Sequence, residues 1–276
     1  MGVYETMEIL QEVSASLVKI KNKKPLVHHI TNYVTVNDCA NITLAIGASP
    51  VMADDIEEVE EMVSYAAALV LNIGTLNSRS IASMLAVGKK AKANGIPIVF
   101  DPVGVGATAL RTATAKRIVE EVAPSVIRGN MSEIKLIAGM NANIKGVDSI
   151  ADEVDGEQVA RRLSQKLGCV IAITGKQDII AQGELVCRID NGHPLLSQVT
   201  GTGCMATSLT ACYCGATDDW FTGAVAGVMT MGLAGELAQQ SLQPGEGIGT
   251  FRMRLFDAVS FMTPEVIKKG GKVTYA

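Results

Sequence analysis

The sequence predicts an α/β fold in three layers, with helices on both faces of a mostly parallel central sheet and an antiparallel hairpin at one edge. Short, near-continuous apolar runs alternate with amphipathic helical stretches from residue 26 to residue 189, as they do where parallel strands are buried on both faces. The runs at 179–182 and 185–189 are joined through Gly183-Glu184, a link short enough for a hairpin. The last third, 203–262, reads almost entirely as helix.

The first helical stretch carries Glu5, Glu8 and Glu12, where a signal sequence would be apolar. Strands are expected at 26–30, 68–73, 96–101, 125–127, 169–174, 179–182 and 185–189. Helices are expected between them at 36–46, 56–64, 78–94, 109–121 and 157–167. Asn94-Gly95 stops a helix before the strand that follows. The apolar stretch 223–235 is too short for a bilayer and rich in glycine and alanine, so it is expected to be a buried helix packed closely against its neighbours. Asp218-Asp219 reads as the cap of a helix starting at Trp220. With no linker-like stretch and no internal repeat, residues 1–276 are expected to form a single domain.

A chain of 276 residues can bury a sizeable core, and 48% hydrophobic with 19% charged residues exclude wholesale disorder. A net charge of −4 gives no general attraction to nucleic acid or to an anionic membrane. The short basic cluster Lys19, Lys21, Lys23 and Lys24 reads as a solvated helix end. Six cysteines form no paired framework, and neither Cys212-Tyr213-Cys214 nor His28-His29 has zinc-ligand spacing. A reduced, cytoplasmic setting is expected.

Open sheets of this kind bind ligands beyond the carboxyl ends of their strands. Three such exits stand out: Asp101-Pro102-Val103-Gly104, the segment from Arg128 to Glu133, and Thr174-Gly175-Lys176. The most informative segment is VTGTGCMATSL at 199–209. Gly201 and Gly203 run directly into a helical pattern there, so unobstructed backbone N–H groups sit at a positive helix end suited to phosphate. Cys204 stands at the same end, where the dipole favours thiolate. Three readings are open for it: a small core residue, a covalent nucleophile, or a base that takes a proton from an alcohol while neighbouring amides hold the phosphate. The glycine context favours a site.

Phosphoryl transfer needs a divalent cation, usually held by one or two carboxylates plus water. Asp101 and Glu133 are the candidates, each with a structural alternative as a turn cap before Pro102 and as a first-turn helix acid. Arg128 suits a phosphate clamp through its fork of donors, and Thr174 through its hydroxyl. Asn32, Val34 and Met52 lie near early strand ends and suit a small mixed pocket, although Met52 equally suits the core. A Walker A loop is absent, because Gly175-Lys176 lacks the upstream glycine and is followed by Gln177. Gly-x-Gly-x-x-Ala occurs at 104–109 and 201–206, but neither copy has the strand and acidic residue of a dinucleotide site. From the residues alone, the chain reads as an α/β phosphotransferase for a small alcohol.

At this point the sequence resembles a known family. HHITNYVTVNDCAN at 28–41, ASPVMA at 48–53, NIG at 72–74, DPVG at 101–104, NMSE at 130–133, ITG at 173–175 and VTGTGC at 199–204 are similar to segments of the hydroxyethylthiazole kinases, in the same order. That family lies within the ribokinase-like superfamily. The resemblance implies a ribokinase-like fold and ATP-dependent phosphorylation of the primary alcohol of 4-methyl-5-(2-hydroxyethyl)thiazole, in thiamine salvage. It implies that Met52 and Gly201 contact the thiazole with Asn32 and Val34 nearby, and that Arg128, Thr174 and Gly203 contact ATP. Asp101 and Glu133 would then surround Mg2+ and the phosphates, and Cys204 would stand where most relatives carry an aspartate base. A homotrimer with active sites at subunit boundaries is implied as well. The alternatives are another small-alcohol kinase, such as a hydroxymethylpyrimidine kinase, or a non-catalytic nucleotide or thiazole sensor.

Overall fold

The computed structural model describes residues 2–140 and 156–276. Its strands are β1 (Leu26–Ile30), β2 (Ser49–Val51), β3 (Ala68–Asn72), β4 (Ile98–Asp101), β5 (Val126–Asn130), β6 (Val170–Thr174), β7 (Asp178–Gln182), β8 (Leu185–Ile189) and β9 (Val273–Tyr275). Among the described residues they form one sheet, in the order β2-β1-β3-β4-β5-β6-β7-β8-β9. Pairing is parallel from β2 to β6 and antiparallel across β6, β7, β8 and β9. The ribokinase-like expectation of a mostly parallel sheet with an antiparallel edge is met.

Alternating side chains of the strands divide the core in two. Val27, Val70, Val99, Val126 and Val170 pack on one face with α1 (Gly2–Lys23), α2 (Val36–Ile46), α8 (Thr202–Ala216), α9 (Trp220–Gln240), α10 (Ile248–Ser260) and α11 (Pro264–Gly270). Leu69, Leu71, Phe100, Ile127 and Ile171 pack on the other with α3 (Val59–Ser64), α4 (Ser78–Ala93), α5 (Ala109–Arg117), α6 (Met131–Met140) and α7 (Gly156–Leu167). Because both faces are covered, β3, β4 and β6 read as apolar runs up to their closing polar residue. The α9 helix is long and apolar enough to cross a membrane, but 89% of its apolar window is buried inside the protein, as a core helix requires. Asp219 caps it by accepting from the N–H groups of Phe221 and Thr222.

Several boundaries differ from expectation. The strand expected at 125–127 runs on through Arg128, Gly129 and Asn130, which pair with Ala172, Ile173 and Thr174. The helix expected at 109–121 changes at Ile118 into a π-helical turn closed by a bond from Ala123 N–H to Ile118 O. The helix expected from residue 56 starts at Val59. Strands β2 and β9 were not anticipated; β2 contains Pro50 and lies at the sheet edge, the place where proline is tolerated. The basic cluster is more than solvated: Lys21 Nζ donates to Met262 O at 2.7 Å, just past α10, and Lys23 Nζ reaches Ala216 O at the end of α8. Cations at helix C-termini are favoured by the dipole.

Candidate active site

Six parallel strands end on the same side of the sheet, and the polar residues of interest follow that edge. Asn32 follows β1, Met52 follows β2, Asn72 closes β3, Asp101 closes β4, Arg128 lies within β5 and Thr174 closes β6. The N-terminus of α8 approaches this edge. Gly201 caps it with φ of +93°, and a β-carbon there would lie 2.6 Å from Thr35 Cγ2. Backbone and packing both demand glycine at that position.

Around Cys204 the side chains form a closed network. Asn32 Nδ2 and Asn72 Nδ2 each donate to Cys204 Sγ at 3.3 Å. Asn72 Nδ2 also donates to Asp101 Oδ2 at 3.0 Å, and Thr207 Oγ1 donates to the same oxygen at 2.9 Å. Asp101 is fully buried, and its Oδ1 is buried with no hydrogen-bond partner. Burial pushes its carboxyl up to about 6, against the nearby positive charge of Arg128 and with the help of Glu133. Burial also raises the Cys204 thiol, and the charge of Asp101 adds to this. The expected dipole-favoured thiolate is therefore overturned: desolvation exceeds the hydrogen bonds that favour the charged sulfur.

Arg128 lies between this network and a cavity. Its Nη2 donates to Thr174 Oγ1 at 2.5 Å, its Nη1 lies 3.8 Å from Asp101 Oδ2, and its Nε is buried without a partner. Beside it a cavity of about 710 Å3 is bordered by Arg128, Thr174 and Gly203 among polar groups and by Leu196, Val228 and Met231 among apolar ones. That volume suits a nucleotide-sized ligand. Asp178 also borders it; burial pushes this carboxyl up to about 7, although Gly175 N–H donates to it at 2.9 Å.

Glu133 holds two loops together. Its Oε1 accepts from Gly104 N–H and its Oε2 from Asn130 N–H, both at 2.9 Å, while Asn130 Oδ1 accepts from Glu133 N–H. Arg111 does the same from the other side, donating to the carbonyls of Ile73, Val103 and Gly74. Asn32, Gly201, Gly203, Cys204, Asp101, Arg128, Thr174 and Glu133 thus come together. Val34 and Met52 do not join the network or the cavity wall: Val34 is 59% exposed ahead of α2, and Met52 is half-buried beyond β2. Asn72, Thr207, Arg111 and Asp178 were missed as site residues; for Asn72 the signal was an asparagine ending an apolar strand beside Asp101.

A glycine-capped helix start set against a buried aspartate at the carboxyl edge of this sheet marks a ribokinase-like kinase, a phosphotransferase with an alcohol acceptor. A ribokinase-like superfamily protein from Enterococcus faecalis V583 shares the fold, with a TM-score of 0.63 at 12% identity over 92% of this chain and 93% of its own. The hydroxyethylthiazole kinase family model matches residues 17–265, and the chain belongs to that family. The hydroxyethylthiazole kinase of Alkaliphilus oremlandii (strain OhILAs) is 54% identical over 97% of this chain and 99% of its own. That of Clostridium beijerinckii is 52% identical over 96% and 98%. A solved structure of the hydroxyethylthiazole kinase from Pyrococcus horikoshii OT3 matches with a TM-score of 0.87 at 35% identity, over 96% of this chain and 99% of that one. Membership of a kinase family makes ATP the co-substrate.

Proposed function

We propose that the chain, acting as a single domain, transfers the γ-phosphoryl group of ATP to the primary alcohol of hydroxyethylthiazole. The observation that carries this reading is the meeting of the α8 N-terminus with buried Asp101 at Cys204, with Arg128 3.8 Å from the Asp101 carboxylate. The amides from Gly201 to Cys204 hold the transferred phosphate, and Arg128 with Thr174 binds the nucleotide beside the cavity. The thiolate form of Cys204 accepts the proton of the alcohol and becomes the thiol. Burial raises that thiol, so little thiolate is present at neutral pH and most of the rate comes from positioning and electrostatics.

Asp101 and Glu133 would hold Mg2+, which would supply positive charge to offset that of the phosphates. The residues fit such a cation: Asp101 Oδ1 is a buried oxygen without a partner, and Glu133 lies close enough to influence its charge. Exposed Tyr33 and Val34 next to Asn32 support a thiazole pocket completed, with Met52 and Gly201, by a second subunit of a cytoplasmic homotrimer.

ADP release with ATP, Mg2+ and either hydroxyethylthiazole or hydroxymethylpyrimidine tests this reading. Turnover with the thiazole alcohol is expected. Turnover with the pyrimidine alone, or binding without turnover, rejects it. Light scattering of the purified protein at three times the 29.0 kDa chain mass is expected for the trimer.

A further inference from the structure

The Asn-Ile-Gly segment at 72–74 has no part in the reaction described so far, yet Asn72 sits at its centre. It is fully buried and closes β3 in register with Asp101 at the end of β4. Neighbouring positions in register on parallel strands send their side chains to the same face. That face lies under α8, from which Cys204 and Thr207 point back toward the sheet.

All four hydrogen-bonding positions of the Asn72 carboxamide are used. Its Oδ1 accepts from Asn32 Nδ2 at 3.0 Å and from Gly74 N–H at 2.9 Å. Its Nδ2 donates to Asp101 Oδ2 at 3.0 Å and to Cys204 Sγ at 3.3 Å. The Gly74 amide can only donate, so it fixes which end of the carboxamide carries oxygen. The NH2 group is thereby turned toward the two ionisable groups of the site. One planar group thus sets the distance and direction between thiol and carboxylate.

We propose that Asn72 is a positioning residue for phosphoryl transfer, holding Cys204 and Asp101 in one fixed relation through its NH2 group. The proposal rests on the roles given above to those two residues. Asn72 is fully buried and every position of its carboxamide is taken by a protein group, so its loss is expected to act on the rate of transfer and to leave the affinity for both substrates intact.

The test is steady-state kinetics on Asn72→Asp, which keeps the shape and the bonds to Asn32 and Gly74 but replaces the NH2 group by oxygen. A fall in kcat of about 10- to 100-fold is expected, the factor for losing a hydrogen bond to a charged group, with KM for ATP and for the alcohol within about threefold. In a Cys204→Ala background the same substitution is expected to have a much smaller effect, because one of its two targets is gone. Thermal melts establish that the variants are folded. Should Asn72→Asp not fold, Asn72→Ala, which removes the NH2 group without adding charge, is judged by the same criteria. Unchanged kcat, a loss confined to KM, or an undiminished effect in the Cys204→Ala background overturns the proposal. Failure of the Cys204 role is distinct: Cys204→Ala would then keep wild-type kcat, and the proposal would fall with it.

Discussion

Arg128 lies so close over Gly203 that a β-carbon on the glycine would fall 2.8 Å from its Nη1. The guanidinium is thereby laid against the first turn of α8, beside the cavity and within 3.8 Å of the Asp101 carboxylate. Gly203→Ala is expected to push the arginine off Thr174 Oγ1 and to raise KM for ATP about tenfold or more, as for a weakened charged hydrogen bond. Kinetics at varied ATP check this, and an unchanged KM would show that the arginine accommodates the methyl group.

The role of Cys204 separates under two substitutions. Cys204→Ala is expected to lower kcat about 100-fold, the lower end for loss of a general base. Cys204→Asp is expected to retain activity, since a carboxylate beside Asn32 and Asn72 accepts the same hydrogen bonds. Equal kcat for wild type and the alanine variant would reduce the thiol to packing.

Asp178 gives stability a pH dependence. Its carboxyl rises from 3.8 to about 7 on folding, chiefly through burial. Between these values the unfolded chain has lost the proton and the folded one keeps it, so stability falls as pH rises through this window and levels off above about pH 7. At about 1.4 kcal/mol per unit, the span sets a ceiling near 4 kcal/mol. Asp178→Asn cannot ionise and is expected to gain on wild type from pH 4 to pH 7, as read by denaturant melts. Parallel pH curves for the two proteins would rule this out.

A purely local effect is expected at Asp219. Its Oδ1 accepts from Phe221 N–H at 3.0 Å, and Asp219→Ala removes that cap from α9. A loss of about 1 kcal/mol in unfolding free energy is expected, with kcat unchanged because the cap lies at the far end of α8 from Cys204.

The strands β3, β4 and β6 were legible because burial on both faces leaves their apolar runs uninterrupted up to the polar residue that closes each. Strand β2 was not, since three residues with Pro50 among them carry no periodic signal. The extension of β5 was hidden by Arg128-Gly129-Asn130, whose polar character serves the site and imitates a loop. Asp101, Arg128 and Cys204 could be found from the rule that ligands gather at strand exits and helix starts. Thr207 could not, because a threonine one turn into a helix looks ordinary until α8 is laid over β4. Arg111 was equally silent: its three carbonyl partners belong to two loops brought together only by the sheet.

The hydrogen bond from Asn32 to Cys204 joins positions 172 residues apart. A chain leaving the ribosome has to release α8 before its thiol meets either asparagine, so the catalytic centre is completed late in synthesis. Contacts of such long separation slow folding. Asn32, Asn72 and Asp101 can pair with one another earlier, but the thiol joins them only with α8, and activity reports on a chain in which both ends of this long loop have met.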